Sequence, residues 1–233
     1  MNTKMKVLAL ALLGLAGYAG SAVAGCPGSP VPPWTAVNAL GGTAVIAAPG
    51  YAATPCRLDS ALTGDASSFA TVEDDTPTAE PRYRAQFIIN PNNLTNLGLV
   101  DGAFIFTAQS GSGAQVQLSV VGDGAGGHLV SYFVPDTTAA GGSDVGSIAL
   151  AAANGENRVE FDLDNSGHFS IWVNNNVEAS PDFTTTTFNN GGATIETAFM
   201  GLAGATPSFI SGFNGVTVGF DQFDSRRTTF IGF

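Results

Sequence analysis

Lysine is nearly missing from this 233-residue chain: Lys4 and Lys6 are the only two, against 19 aspartates and glutamates. Beyond residue 24 only six arginines oppose those 19 acids, a formal charge of −13. A surface this acidic repels nucleic acid and anionic lipid, so neither is an expected partner. Histidine is just as scarce, with His128 and His168 alone. No Cys/His cluster supports zinc, and no glycine-rich loop opens a helix to hold phosphate. A nucleophile triad would have to join His168 to Asp164 and a serine. Ser170 stands nearby without any nucleophile-elbow sequence around it. No window beyond the N-terminal segment has a helical period, which disfavours α/β nucleotide-binding architectures, and no fixed-period repeat suggests a propeller or solenoid.

What is present begins with a three-part N-terminus: Lys4 and Lys6, the apolar run Val7 to Leu15, and small residues ending Ala22-Val23-Ala24. This layout predicts a signal peptide over residues 1–24, too short to span a membrane, and a secreted or cell-surface product. The two cysteines then face competing fates. An exported protein with an even pair favours a Cys26–Cys56 disulfide, whereas Val23-Ala24-Gly25-Cys26 also resembles a lipobox that would acylate Cys26 and anchor the chain.

Residues 158–174 carry the clearest structural signal, two alternating runs around Asn165-Ser166-Gly167. They predict a β-hairpin in which Leu163 faces Phe169, Phe161 faces Ile171 and Val159 faces Val173, forming a dry face. The other face takes Asp164 by His168, Asp162 by Ser170, Glu160 by Trp172 and Arg158 by Asn174. Further strand signals, short and bounded by Gly, Asn, Asp or Pro, fall at 43–47, 51–58, 69–73, 83–90, 103–109, 115–121, 129–134, 147–150, 196–202 and 216–223. The expected fold is all-β, a two-sheet antiparallel sandwich forming one domain. Residues 25–80 should be its loop-rich, disulfide-pinned part and residues 81–233 its main part.

Several segments carry a family resemblance: Val72-Glu73-Asp74-Asp75-Thr76-Pro77, Glu80-Pro81-Arg82-Tyr83-Arg84-Ala85-Gln86-Phe87, the hairpin, and Phe220-Asp221-Gln222-Phe223-Asp224-Ser225-Arg226-Arg227 with the residues after it. Over about residues 70–233 the chain resembles bacterial exported proteins of the concanavalin A-like, laminin G-like jelly-roll class. The resemblance implies a jelly roll, a framework shared by lectins, polysaccharide hydrolases and adhesion modules, so activity has to be read from the site.

Three candidate sites follow. Glu160-x-Asp162-x-Asp164 is similar to the Glu-x-Asp-x-Glu strand of glucanases on this fold. A retaining pair, however, needs carboxyls about 5–5.5 Å apart, whereas positions i and i+4 of a strand are roughly 13 Å apart. Asp164 lacks the reach of a glutamate, and it leads straight into a turn. Asp162, Asp164 and Ser166, followed by Gly167, form the front half of a calcium loop, whose twelfth position holds Val173 instead of a glutamate. Trp172 beside Glu160 and Asp162 could stack on a sugar while the carboxylates accept its hydroxyl protons, unless a second sheet covers that face. Arg226 and Arg227 are expected to pair locally with Asp221 and Asp224. The sequence therefore points to a non-catalytic module that binds glycan or a cell-surface or matrix protein, or serves structurally. It needs no cofactor unless calcium is bound. The alternatives are a glycoside hydrolase or lyase using Glu160 and Asp164, and an outer-membrane barrel suggested by the terminal Phe233 and the many alternating strands.

Overall fold

The computed structural model describes residues 26, 33–136, 143–186 and 189–232. The predicted signal peptide over 1–24 and Phe233 lie outside them. Fourteen strands, numbered in chain order, form two antiparallel sheets of seven. Sheet I runs β1 (Ala36–Leu40), β4 (Phe69–Asp74), β13 (Thr197–Ala203), β6 (Gly102–Ser110), β7 (Gly113–Gly122), β8 (His128–Pro135) and β9 (Ser143–Leu150). Sheet II runs β12 (Phe183–Thr185), β11 (Phe169–Val173), β10 (Asn157–Asp164), β5 (Arg82–Asn90), β14 (Val218–Arg226), β3 (Arg57–Leu62) and β2 (Gly42–Ala47). This is the expected all-β, two-sheet antiparallel sandwich.

The hairpin pairs in the expected register, with Leu163 opposite Phe169, Phe161 opposite Ile171 and Val159 opposite Val173. Gly167 takes φ 103° in its turn, the positive region the three-residue loop requires. Its dry face enters a core shared by both sheets. Phe106 of sheet I stacks on Phe87 at 5.5 Å and meets Phe161 edge-on at 5.3 Å, while Tyr132 packs on Phe169 at 5.5 Å. Ser60 also bridges the sheets: its hydroxyl donates to Ala70 O at 2.6 Å and accepts from Leu202 N at 3.0 Å.

The N-terminal part is more regular than the sequence suggested. Residues 33–80, expected to be loop-rich, supply β1 to β4 and add two strands to each sheet. The strand expected at 51–58 is instead a turn up to Cys56, with Thr54 N donating to Tyr51 O at 2.9 Å, and β3 starts at Arg57. Cys26 and Cys56 form the expected disulfide, which engages the sulfur that acylation would need. One short helix among the described residues, α1 (Pro207–Phe213), shows no helical period in the sequence because it has only seven residues. Its start is nonetheless written locally: Thr206 Oγ1 accepts from Phe209 N at 3.2 Å, and Pro207 opens the first turn.

Candidate functional site

The face of β10 and β11 carrying Glu160, Asp162 and Trp172 reads as polar in the sequence, open to a ligand unless a second sheet covers it. The structure buries it, leaving Glu160 and Trp172 3% exposed and Asp162 fully covered. The cover is not a second sheet but the segment after β14, which returns across sheet II, together with the loop from Val177 to Pro181. Glu160 accepts from Ile231 N at 2.9 Å and Gly232 N at 3.0 Å. With its amide oriented to satisfy its neighbours, Gln86 donates to Gly232 O at 2.5 Å and accepts from Arg158 Nη1 at 2.6 Å. Burial, the largest influence, pushes the Glu160 carboxyl above its ordinary pKa, against the opposing pull of the two backbone amides and Arg84.

Arg84 organises this layer. Its guanidinium, 2% exposed, lies 5.3 Å from the Trp172 ring and 5.5 Å from the Phe230 ring. It pairs with Asp162 at 2.8 Å and Glu178 at 3.1 Å, and approaches Glu160 at 3.7 Å. Arg82 grips the same Asp162 through two nitrogens, at 2.9 and 2.5 Å. Trp172 Nε1 donates to Val177 O at 3.1 Å. The three residues singled out for sugar binding are thus brought together, and each polar end is already held by the protein. Asp162 and Trp172 line a cleft of about 340 Å³ with His168 and Thr184, whereas Glu160 lies beneath the returning segment.

The calcium candidates do not converge. Asp162 is occupied by two guanidinium groups, while Asp164 Oδ1 turns into the hairpin loop and accepts from Ser166 N at 2.9 Å and Ser166 Oγ at 2.6 Å. Partial burial alone would raise the Asp164 pKa, but hydrogen bonds from Ser166 and His168 outweigh it and hold the carboxyl below its usual value. Among the described residues no group of three or more His, Cys, Asp or Glu is placed to hold a metal. Asp164 meets His168 through the latter's backbone N–H at 3.2 Å, while the ring faces Ser170 Oγ at 3.1 Å. Arg226 pairs with Asp224 as expected, at 2.8 Å, but Arg227 pairs with Glu80 at 2.9 Å. Asp221 instead accepts from Tyr51 N at 2.5 Å, and Arg227 lies over the Tyr83 ring.

A second site, unseen in the sequence, opens on the outer face of sheet I. A cleft of about 430 Å³ crosses β4, β13, β6 and β7. Three half-buried rings, Phe69, Phe104 and Phe199, stand around it. Between them lie the amides and hydroxyls of Asn38, Thr71, Thr107, Gln109 and Gln117. Two bulges shape this surface. In β6 the register shifts between Phe104 and Phe106, so Ile105 and Phe106 both enter the core and Phe104 turns outward. In β13 it shifts between Met200 and Ala203, where Gly201 at φ 128° presents no side chain. A Cβ at Gly201 would collide with Ala70 O, so the depression there is a consequence of the backbone. No lining residue of the cleft is charged, and all six arginines lie on or just after strands of sheet II.

No family model and no curated protein sequence matches this chain. Its likeness is to solved structures. The binding domain of botulinum neurotoxin serotype G superposes with TM-score 0.51 at 12% identity, over 83% of this chain and 44% of the toxin domain. The receptor-binding domain of botulinum neurotoxin mosaic serotype C/D gives 0.51 at 8% identity, over 83% and 43%. Cellulose induced protein, Cip1, gives 0.53 at 14% identity, over 81% of this chain and 87% of Cip1. The likeness is one of fold. This chain spans less than half the length of the two toxin domains. Among the described residues no helix is long and apolar enough to cross a membrane. The disulfide fits an oxidising compartment outside the cytosol.

Proposed function

We propose that this protein is a secreted or cell-surface glycan-binding module without catalytic activity, and that its ligand lies in the cleft of sheet I. The observation that carries this reading is the chemistry of that cleft: three phenylalanine rings to pack against the apolar faces of sugar rings, and neutral amides and hydroxyls to pair with their hydroxyl groups. An uncharged lining selects neutral sugars and supplies no pair of carboxylates for glycoside hydrolysis. Glu73, the acid beside the cleft, accepts from Asn38 Nδ2 at 2.5 Å and so fixes that amide. The fold likeness to toxin binding domains and to a cellulose-induced protein is compatible with this reading and adds no ligand identity.

A glycan array on the mature chain tests it, with Phe104→Ala and Gln117→Ala as cleft variants and Asp162→Asn as a sheet II variant. Binding of neutral glycans that falls at least tenfold in each cleft variant and persists in the sheet II variant is the expected result. Loss confined to Asp162→Asn would move the site to the Trp172 cleft, and reducing-sugar release from a polysaccharide panel would overturn the non-catalytic assignment.

A further inference from the structure

The outer face of sheet I changes character towards its β9 edge. Beyond Gln117, β7 turns Ser119 and then Val121 outward, with Val121 about 13 Å from Gln117 at the rise of a strand. Val121, Leu129 of β8 and Val145 of β9 line a second groove of about 400 Å³ together with Leu99 and Val100. This groove, too, has no charged lining residue. Leu99, Val100 and Val145 are 64%, 76% and 64% exposed. A file of hydroxyls, Ser119, Ser131 and Ser147, pairs across the strands from Phe104 of the first cleft to this end.

The loop that supplies Leu99 and Val100 is held in a conformation its sequence resists. Asp101 N donates to Gly98 O at 3.0 Å, closing a four-residue turn with Val100 in third place at φ 61°. Glycine or asparagine ordinarily fills a positive-φ turn position, because a β-carbon there meets the following carbonyl. Val100 is the only β-branched residue among the seven non-glycine residues with positive φ in the described chain. A branched aliphatic in that conformation, three-quarters exposed, does nothing for the core. Such strain concentrates where a surface is used.

We infer that the ligand is a glycolipid: the sugar occupies the phenylalanine cleft and the aliphatic chain lies along the groove of Leu99, Val100, Val121, Leu129 and Val145. This inference rests on the glycan reading of the cleft and adds the apolar half of the ligand. A lipid chain suits the groove because both lack charge and because the groove lies on the same sheet face as the sugar cleft, about 13 Å further along β7. The acidic chain as a whole disfavours anionic lipid, so the sugar head should be neutral.

The test compares methyl and n-octyl glycosides of glucose, galactose and mannose below micellar concentration, measured by calorimetry on the mature chain. For at least one sugar the octyl glycoside should bind ten times or more tighter than the methyl glycoside. Leu99→Ser and Val100→Gly should abolish that gain while leaving methyl glycoside affinity unchanged and the thermal midpoint no lower, since both residues are exposed and glycine relieves the turn. Equal affinity for methyl and octyl partners overturns the inference and leaves the glycan reading standing. Equal binding of all octyl compounds, including an octyl ether of oligoethylene glycol, overturns both, as does no binding in either series. A dimer in light scattering without ligand that Leu99→Ser converts to monomer would assign the groove to a second copy and overturn the lipid.

Discussion

Replacing Arg84 by methionine should be among the most damaging single changes in this protein that leave the sandwich core untouched. The guanidinium is 2% exposed, and its removal leaves Asp162, fully buried, and Glu160, 3% exposed, with less compensation than they need. Breaking a buried pair by removing one partner typically costs about 3–5 kcal/mol. Two features pull the cost towards the lower end. Asp162 keeps Arg82 as a bidentate partner, though Arg82 is more exposed, with 37% of its side chain open to solvent. Glu160 keeps the amides of Ile231 and Gly232. The Glu178 contact adds little, because that carboxylate is 60% exposed. We therefore expect a loss of about 3 kcal/mol, a large fraction of the roughly 5–15 kcal/mol that holds a domain together. In urea unfolding followed by tryptophan fluorescence, an m-value of about 2.5 kcal/mol/M would turn this into a midpoint roughly 1.2 M lower. The double variant Arg84→Met with Asp162→Asn should recover about 1 kcal/mol or more over the sum of the singles, since the charge left stranded is then gone. An Arg84→Met midpoint within about 0.3 M of wild type at unchanged m would refute the argument that this layer is electrostatically closed.

Ser60→Ala strands the amide of Leu202 in the core and should cost about 1–3 kcal/mol in the same denaturation assay, with no change in glycan binding. Glu160 has a folded pKa above its unfolded value, so the native state binds the extra proton between the two; its contribution to stability is present at low pH and is lost as pH rises through the folded value. The stability of wild type relative to Glu160→Gln should therefore increase as pH falls from 7 towards 4.5, and a difference that is constant or shrinks would contradict the assignment. Reducing the Cys26–Cys56 bridge, whose partners are 30 residues apart, should lower stability by about 3.5 kcal/mol on the chain-entropy estimate, read as a shift in thermal midpoint with and without reductant.

The hairpin was legible because its alternation is local: every partner across residues 159–173 follows from one turn and a period of two. What covers its polar face was not, because Ile231 and Gly232 reach Glu160 from about 70 residues away and leave no periodic mark on it. The sheet I cleft was hidden for a different reason. Phe104-Ile105-Phe106 reads as a continuous apolar run in which Phe104 and Phe106 share a face, yet one bulge sends Phe106 to the core and Phe104 to the surface. Gly201, in the run Met200-Gly201-Leu202, hints at such a break, since glycine inside a strand often marks a bulge. The disulfide was legible from the even cysteine count together with the signal-peptide-like layout of the N-terminus. β1 escaped because Ala36–Leu40 contains little β-branched or aromatic character, and β12 because three residues are too few to show a period.

The position of β14 has a consequence for how this chain comes to exist. It is the last strand in sequence, yet it lies inside sheet II, between β5 and β3. β13 is likewise late and lies inside sheet I between β4 and β6. As the chain emerges from a pore in order, neither sheet can join its two halves until residues near 200–226 have followed, so the first two hundred residues cannot make a stable half-sandwich. Folding thereby becomes a single late event, and a chain exported unfolded, as the proposed secretion requires, would stay threadable until then.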